Sequence, residues 1–183
     1  MKKHKNISYI DAHNKAVSIY KKSASALLWT GIFNIVGAIF YLVGTNGSVK
    51  ELSGTFLCYG LNTFVFSLSY VREFLINSLP WSGILYIFSS FLLSAFFATM
   101  GIFAMKGKKI CLFLGTGAYF IDWVFLLLCY YIKLVVIESS ITYLMLAVHL
   151  VISVFLIISV VEYYKVIDIE KIRNKEVKFD GRK

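Results

Sequence analysis

Two titratable side chains stand inside long apolar runs of this chain, Asp122 within 110–132 and His149 within 141–161. A carboxylate near a bilayer centre costs roughly 2.5–3.5 kcal/mol on insertion scales, so it faces protein or water and has a partner. His149 is the natural candidate. The turn between the two runs centres near Val136, with Asp122 14 residues before it and His149 13 after it. In an antiparallel hairpin both then lie about 20 Å below that turn, at one depth. Whether their faces meet depends on helix rotation, which counting does not give. Two readings are open: a proton-handling or ligand-binding pair, with histidine titrating near neutral pH, or a structural link that locks two helices together. No second acid, base or polar chain continues a path through the other apolar runs, which favours the structural link. Asn34, in the middle of the first apolar run, is a candidate third member of the pair or a simple interhelical amide contact.

Small residues recur at helical spacing: Ser90, Ser94, Ala98 and Gly101 in one run, Gly31 and Gly37 in another, Gly115 and Gly117 in a third. Such stripes let membrane helices approach closely. The tight turn Lys106-Gly107-Lys108-Lys109 offers candidate lipid-headgroup contacts at Lys106, Lys108 and Lys109, worth about 1 kcal/mol per basic residue; its plainer role is a topology signal. The cysteines are Cys58, Cys111 and Cys129, without C-x-x-C or metal spacing. Cys58 and Cys129 both fall toward the same outer side, where a disulfide could form, but the odd total and membrane setting favour apolar packing. His4 and His13 form no ligand cluster. Walker A, H-E-x-x-H, G-x-S-x-G and G-x-G-x-x-G patterns are missing from the sequence. No metal, cofactor or catalytic constellation is therefore expected.

The elements that must carry these residues follow from composition. Of 183 residues 58% are hydrophobic and only 16% charged, against about 25% charged in soluble domains. Mean hydropathy is +0.74. Disorder, collagen-like repeats and an ordinary soluble domain are excluded. A spanning helix takes about 20 apolar residues. The runs 84–105, 110–132 and 141–161 qualify directly, and 27–44 reaches that length when extended back through Ser23 and Ala24. The segment 54–70 is doubtful, followed by Arg72 and Glu73. The charges decide it. With four spans, 16 of the 19 basic residues fall on one side: six lysines before residue 23, the three of the 106–109 turn, and seven Lys or Arg from 165 onward. Lys50, Arg72 and Lys133 alone fall on the other. Cytoplasmic loops hold the Lys/Arg excess, so both termini are expected inside. The +9 net charge is then a topology label and not a nucleic-acid surface.

The expected architecture is all-α: a polytopic membrane helix bundle with spans at about 24–44, 81–105, 110–132 and 140–161. Residues 1–23 form a basic lead-in and 166–183 a charged tail, frayed or a short surface helix, both cytoplasmic. Residues 24–165 form one membrane domain. The outer segment 54–76 alternates like a strand at Phe64, Phe66, Leu68 and Tyr70, but Leu57, Leu61, Phe64, Leu68, Val71 and Leu75 also fit a helical stripe. Lipid cannot satisfy an open strand, so an amphipathic or re-entrant outer-face helix is expected. Pro80 suits the first turn of the next span.

The run Gly101-Ile-Phe-Ala-Met-Lys106-Gly107-Lys108-Lys109, then Gly115, Tyr119 and Asp122, then His149, resembles a loose group of small bacterial polytopic membrane proteins. They carry a G-x-F-A-x-K-G-K turn, a downstream Y-x-x-D and a histidine in the last span. The likeness covers about residues 95–160 and departs at Ile110 and Cys111, where that group has an aromatic after the turn. It implies four helices and directs attention to Asp122 and His149, but implies no activity.

These readings predict a multi-pass protein of a bacterial cytoplasmic membrane. Lysine outnumbers arginine 16 to 3, a hint of an AT-rich genome. The expected role is a non-enzymatic accessory or protective, immunity-like component whose partners are the lipid bilayer and a membrane protein or further copies of itself. The alternative is a small oligomeric transporter or proton-coupled channel built on Asp122 and His149.

Overall fold

The computed structural model describes residues 2–45, 82–131 and 139–180. They form four helices: α1 (Lys2–Thr45), α2 (Ser82–Met105), α3 (Lys109–Tyr131) and α4 (Ser139–Asp180). No strand occurs among the described residues. The outer segment 54–76, Pro80 and Cys58 lie outside them.

Three helices are long and apolar enough to cross a membrane, over Ile87–Met105, Lys109–Cys129 and Leu146–Asn174. The chain is accordingly an all-α, multi-pass membrane protein. Its surface supports this inside-out. Trp29, Phe88, Leu92, Leu114, Ile121, Leu150 and Ile157 point outward, while Thr30, Asn34, Ser94, Asp122, His149 and Glu162 are buried. Water would invert that arrangement, because apolar area is what it expels; lipid accepts apolar side chains and leaves polar groups to find one another inside.

The lead-in and the tail are not separate pieces. α1 runs unbroken through 44 residues and α4 through 42, about 66 and 63 Å at 1.5 Å per residue. A hydrocarbon core is only about 30 Å thick. Each helix is therefore about twice as long as a hydrocarbon core is thick, and the two run side by side. His13 Nε2 meets Glu170 Oε1 at 3.2 Å, and the Tyr20 and Tyr163 rings lie 5.6 Å apart. The first half of α1 and the last part of α4 thus make an antiparallel two-helix stalk. The Tyr20 hydroxyl donates to the Ala104 carbonyl, so the α2–α3 turn sits at the foot of that stalk. The 106–109 turn therefore lies on the side of the bundle from which the described parts of both basic terminal segments project.

That turn ends α2 in a Schellman arrangement. Gly107 has φ +83°, a left-handed conformation open to glycine. Its N–H donates to the Ala104 carbonyl at 2.8 Å and the Lys108 N–H to Phe103 at 3.0 Å, satisfying carbonyls that the helix end leaves free. α1 is the central element and packs most extensively on α2 and α4. The α1–α2 contact is made by backbone. A Cβ at Gly31 would stand 2.6 Å from the Ser94 carbonyl oxygen, and one at Gly101 2.4 Å from the Leu28 nitrogen. Tyr20, Ala24, Leu27, Phe97, Ala104, Leu112, Tyr119 and Leu156 fill the core between the helices.

Candidate functional site

Packing contacts fix the relative heights of the helices. Gly31 of α1 abuts Ser94 and Ala98 of α2, and Gly115 of α3 abuts Leu27 of α1. Asn34 lies seven residues beyond Leu27 and Asp122 seven beyond Gly115, so each stands about 10 Å further along parallel helices. Asn34 is also one turn past Gly31, opposite the Ser90–Ser94 stretch of antiparallel α2. On α4, His149 reaches the same height through Tyr119. Asn34, Ser90, Ser94, Tyr119, Asp122, His149 and Ser153 therefore form one polar layer to which all four helices contribute, and every member is buried.

The centre of this layer is the Tyr119–His149 contact. The Tyr119 hydroxyl lies 2.8 Å from His149 Nδ1 and 3.2 Å from the His149 carbonyl oxygen. The two rings stack with centroids 5.7 Å apart and planes 29° off parallel. Ser153, one turn along α4, donates to the same carbonyl at 2.8 Å. A phenol has one proton to give. If it goes to the carbonyl, Nδ1–H donates to the phenol oxygen and Nε2 is a bare acceptor; if it goes to Nδ1, Nε2 carries the proton. In either tautomer Nε2 is buried and has no hydrogen-bond partner.

At the histidine the structure places a third residue, Tyr119. Tyr119, three residues before Asp122 and on the same helix face, holds His149 Nδ1. Asp122 is only 5% exposed. Asn34 joins the layer by height: its Nδ2 donates to the Thr30 carbonyl at 2.8 Å, and its Oδ1 is buried and unpartnered. Thr30 in turn donates to the Ala26 carbonyl at 2.8 Å. Thr116 Oγ1, one turn before Tyr119, is another unpartnered buried atom. Sequence reasoning did not single out Ser153 or Thr116 in this layer. The i, i+4 step from His149 to Ser153 and the i, i+3 step from Thr116 to Tyr119 are the signals that place them there.

Lys106, Lys108 and Lys109 are exposed at the foot of the stalk. Lys106 Nζ sits 5.7 Å from the centre of the Phe103 ring and Lys109 Nζ 5.8 Å from that of Phe113, each a cation–π contact that leaves the ammonium in reach of a headgroup. No cluster of three or more His, Cys, Asp or Glu that could hold a metal occurs among the described residues.

Chemically, the layer can hold a proton at His149 or Tyr119 and, through the Tyr119–His149 hydrogen bond, fix the rotation of α3 against α4. Comparison with protein-family models, with curated proteins and with solved structures finds no match to this chain.

Proposed function

We propose that this chain is a four-span protein of a bacterial cytoplasmic membrane, with both termini cytoplasmic, that serves as a non-enzymatic accessory or protective component. The supporting observation is the stalk. Basic residues before 23, in the 106–109 turn and after 165 gather at one end of the bundle, joined by His13–Glu170 and by Tyr20–Ala104. With the positive-inside rule that end is cytoplasmic, and α1 is the fourth span. A paired-helix projection of about 30 Å carries charge together with exposed apolar residues such as Ile10 and Ile172, which suits recognition of another protein better than chemistry. Reporter fusions at residue 107 and at the C-terminus should both read cytoplasmic. Crosslinking from native membranes through positions 10–18 should capture a defined partner, and deletion should produce a sensitivity phenotype. No partner and no phenotype would overturn the role.

A second reading, a proton-coupled transporter or channel, draws on the unpartnered Nε2 of His149 inside the polar layer. It expects Asp122→Asn to abolish pH-dependent flux in liposomes with the fold intact. If that variant lowers thermal stability and wild-type liposomes carry no flux, the layer is structural.

A further inference from the structure

An apolar groove opens between α1 and α4 on the outer surface of the bundle. It encloses about 460 Å³ and is lined by Ala26, Trp29 and Phe33 of α1 and by Val148, Val151 and Phe155 of α4, among others. Trp29 and Phe33 stack along one wall, 5.7 Å between ring centres. Nothing polar faces it, so within lipid the groove wants a hydrocarbon chain and not water. The helix period adds a second feature. Lys22, Ala26, Trp29 and Phe33 stand at i, i+4, i+7 and i+11, a single stripe. The wall of the groove therefore runs straight into an exposed lysine, about 16 Å from Phe33, half the thickness of a hydrocarbon core. Lys15 continues the same stripe two turns further out. On the facing helix Glu162 is buried and held by Lys165, whose ammonium is itself well exposed. Lys22 is thus the first charged side chain on the α1 stripe beyond the groove, and it is exposed.

We propose that this groove is a binding site for one anionic phospholipid, its acyl chain against Trp29 and Phe33 and its phosphate at Lys22. The occupant is set by charge complementarity: a wholly apolar slot one leaflet deep ends at a cation whose neighbouring carboxylate is already neutralised. A second transmembrane helix would fill the slot but would leave Lys22 without a counter-ion. The inference rests on α1 being a span.

The test uses the full chain with Trp81→Phe and Trp123→Phe, so that Trp29 is the sole tryptophan and is excited selectively over tyrosine, reconstituted in vesicles containing lipids brominated on their acyl chains. A small fraction of brominated phosphatidylglycerol should quench Trp29 well beyond the same fraction of brominated phosphatidylcholine. Lys22→Gln should reduce that preference about fivefold, and Ala147→Phe, which fills the groove from its exposed rim, should remove it. Equal quenching by the two lipids would overturn the site while leaving α1 in the bilayer. Absence of quenching by either would take α1 out of the bilayer and the site with it. A dimer dissociated by Ala147→Phe would assign the groove to a second copy and overturn the proposal.

Discussion

The sharpest consequence of the α1–α2 contact is that one substitution type should have opposite signs at two glycines of the same bundle. At Gly101 a methyl group would stand 2.4 Å from the Leu28 nitrogen, 2.9 Å from its Cα and 3.0 Å from its Cβ. Ordinary contact begins near 3.4 Å, so α1 and α2 must part by about 1 Å. The obstacle is backbone and no rotamer relieves it. The parting also opens the neighbouring contact of Gly31 with Ser94 and Ala98, a turn away on each helix. Overpacking of this kind costs about 1–3 kcal/mol, and the upper half of that range applies where backbone meets backbone. Alanine gains back about 0.5–1 kcal/mol of helix preference, leaving Gly101→Ala destabilised by about 1–2.5 kcal/mol. At Gly117 nothing lies within 4 Å of the added methyl, so Gly117→Ala keeps only the gain of about 0.5–1 kcal/mol. Unfolding of the purified chain in mixed micelles, followed by helical circular dichroism against rising denaturing detergent, measures both. If Gly101→Ala matches or exceeds the wild type, or the two variants move together, the close approach of α1 and α2 is refuted.

Tyr119→Phe removes the hydroxyl from His149 Nδ1 and should cost about 0.6–1.7 kcal/mol in the same assay; a loss below the error would mean the phenol is not the histidine's anchor. Burial pushes the Tyr20 phenol up to about 12 from its ordinary 10, with Tyr163 and then Cys111 adding to it. A raised folded-state value means the folded chain keeps a proton that the unfolded chain gives up. Stability from Tyr20 is therefore complete below about pH 10 and falls as pH rises toward 12. A pH series of unfolding midpoints should show that decline in the wild type and less of it in Tyr20→Phe. For the stalk, a double-mutant cycle with His13→Ala and Glu170→Ala should give a coupling of about 0.2–1 kcal/mol, as for other exposed pairs, and lose it in 1 M salt; coupling that ignores salt would mean packing and not charge joins the two helices.

The apolar cores of α2, α3 and α4 are plain in the sequence because lipid selects on composition, and a run such as 84–105 has no other use. The continuity of α1 and α4 as single long helices is not. Residues 1–23 and 166–180 have a weak amphipathic pattern taken singly, and each becomes a helix face only beside the other, through contacts such as His13–Glu170 that join residues 157 apart. Similarly, counting from the turn put Asp122 and His149 at one depth, since depth depends only on rise per residue. Rotation depends on how α3 packs on α4, and it turned Tyr119 to the histidine. The spacing Tyr119-x-x-Asp122 contained that outcome, since residues three apart share a face, but nothing local said which of the two would make the contact.

The polar layer also bears on why a bundle held mostly by apolar packing has a single arrangement. Its hydrogen bonds are weak by the standard of membrane helices, about 0.6 kcal/mol each, and cannot hold four helices together. Their effect lies in the alternatives they exclude. A slip of one residue in any helix rotates its face by about 100°. For α3 that swings Asp122 toward lipid at a cost of roughly 2.5–3.5 kcal/mol, several times the bond it leaves. For α1 it moves Asn34 out of the layer and drives side chains into the Gly31 and Gly101 contacts, which tolerate none. The glycines thus fix how closely α1 and α2 approach, and the buried polar residues fix how α1, α3 and α4 are turned. Replacing Asp122 and His149 together by apolar residues of similar size should therefore leave the bundle helical and inserted but blur its packing. Broadened tyrosine and tryptophan signals in near-ultraviolet dichroism, with far-ultraviolet helix content unchanged, would be the expected record. A double variant whose near-ultraviolet spectrum stays as sharp as the wild type's would mean that the apolar contacts alone select the arrangement.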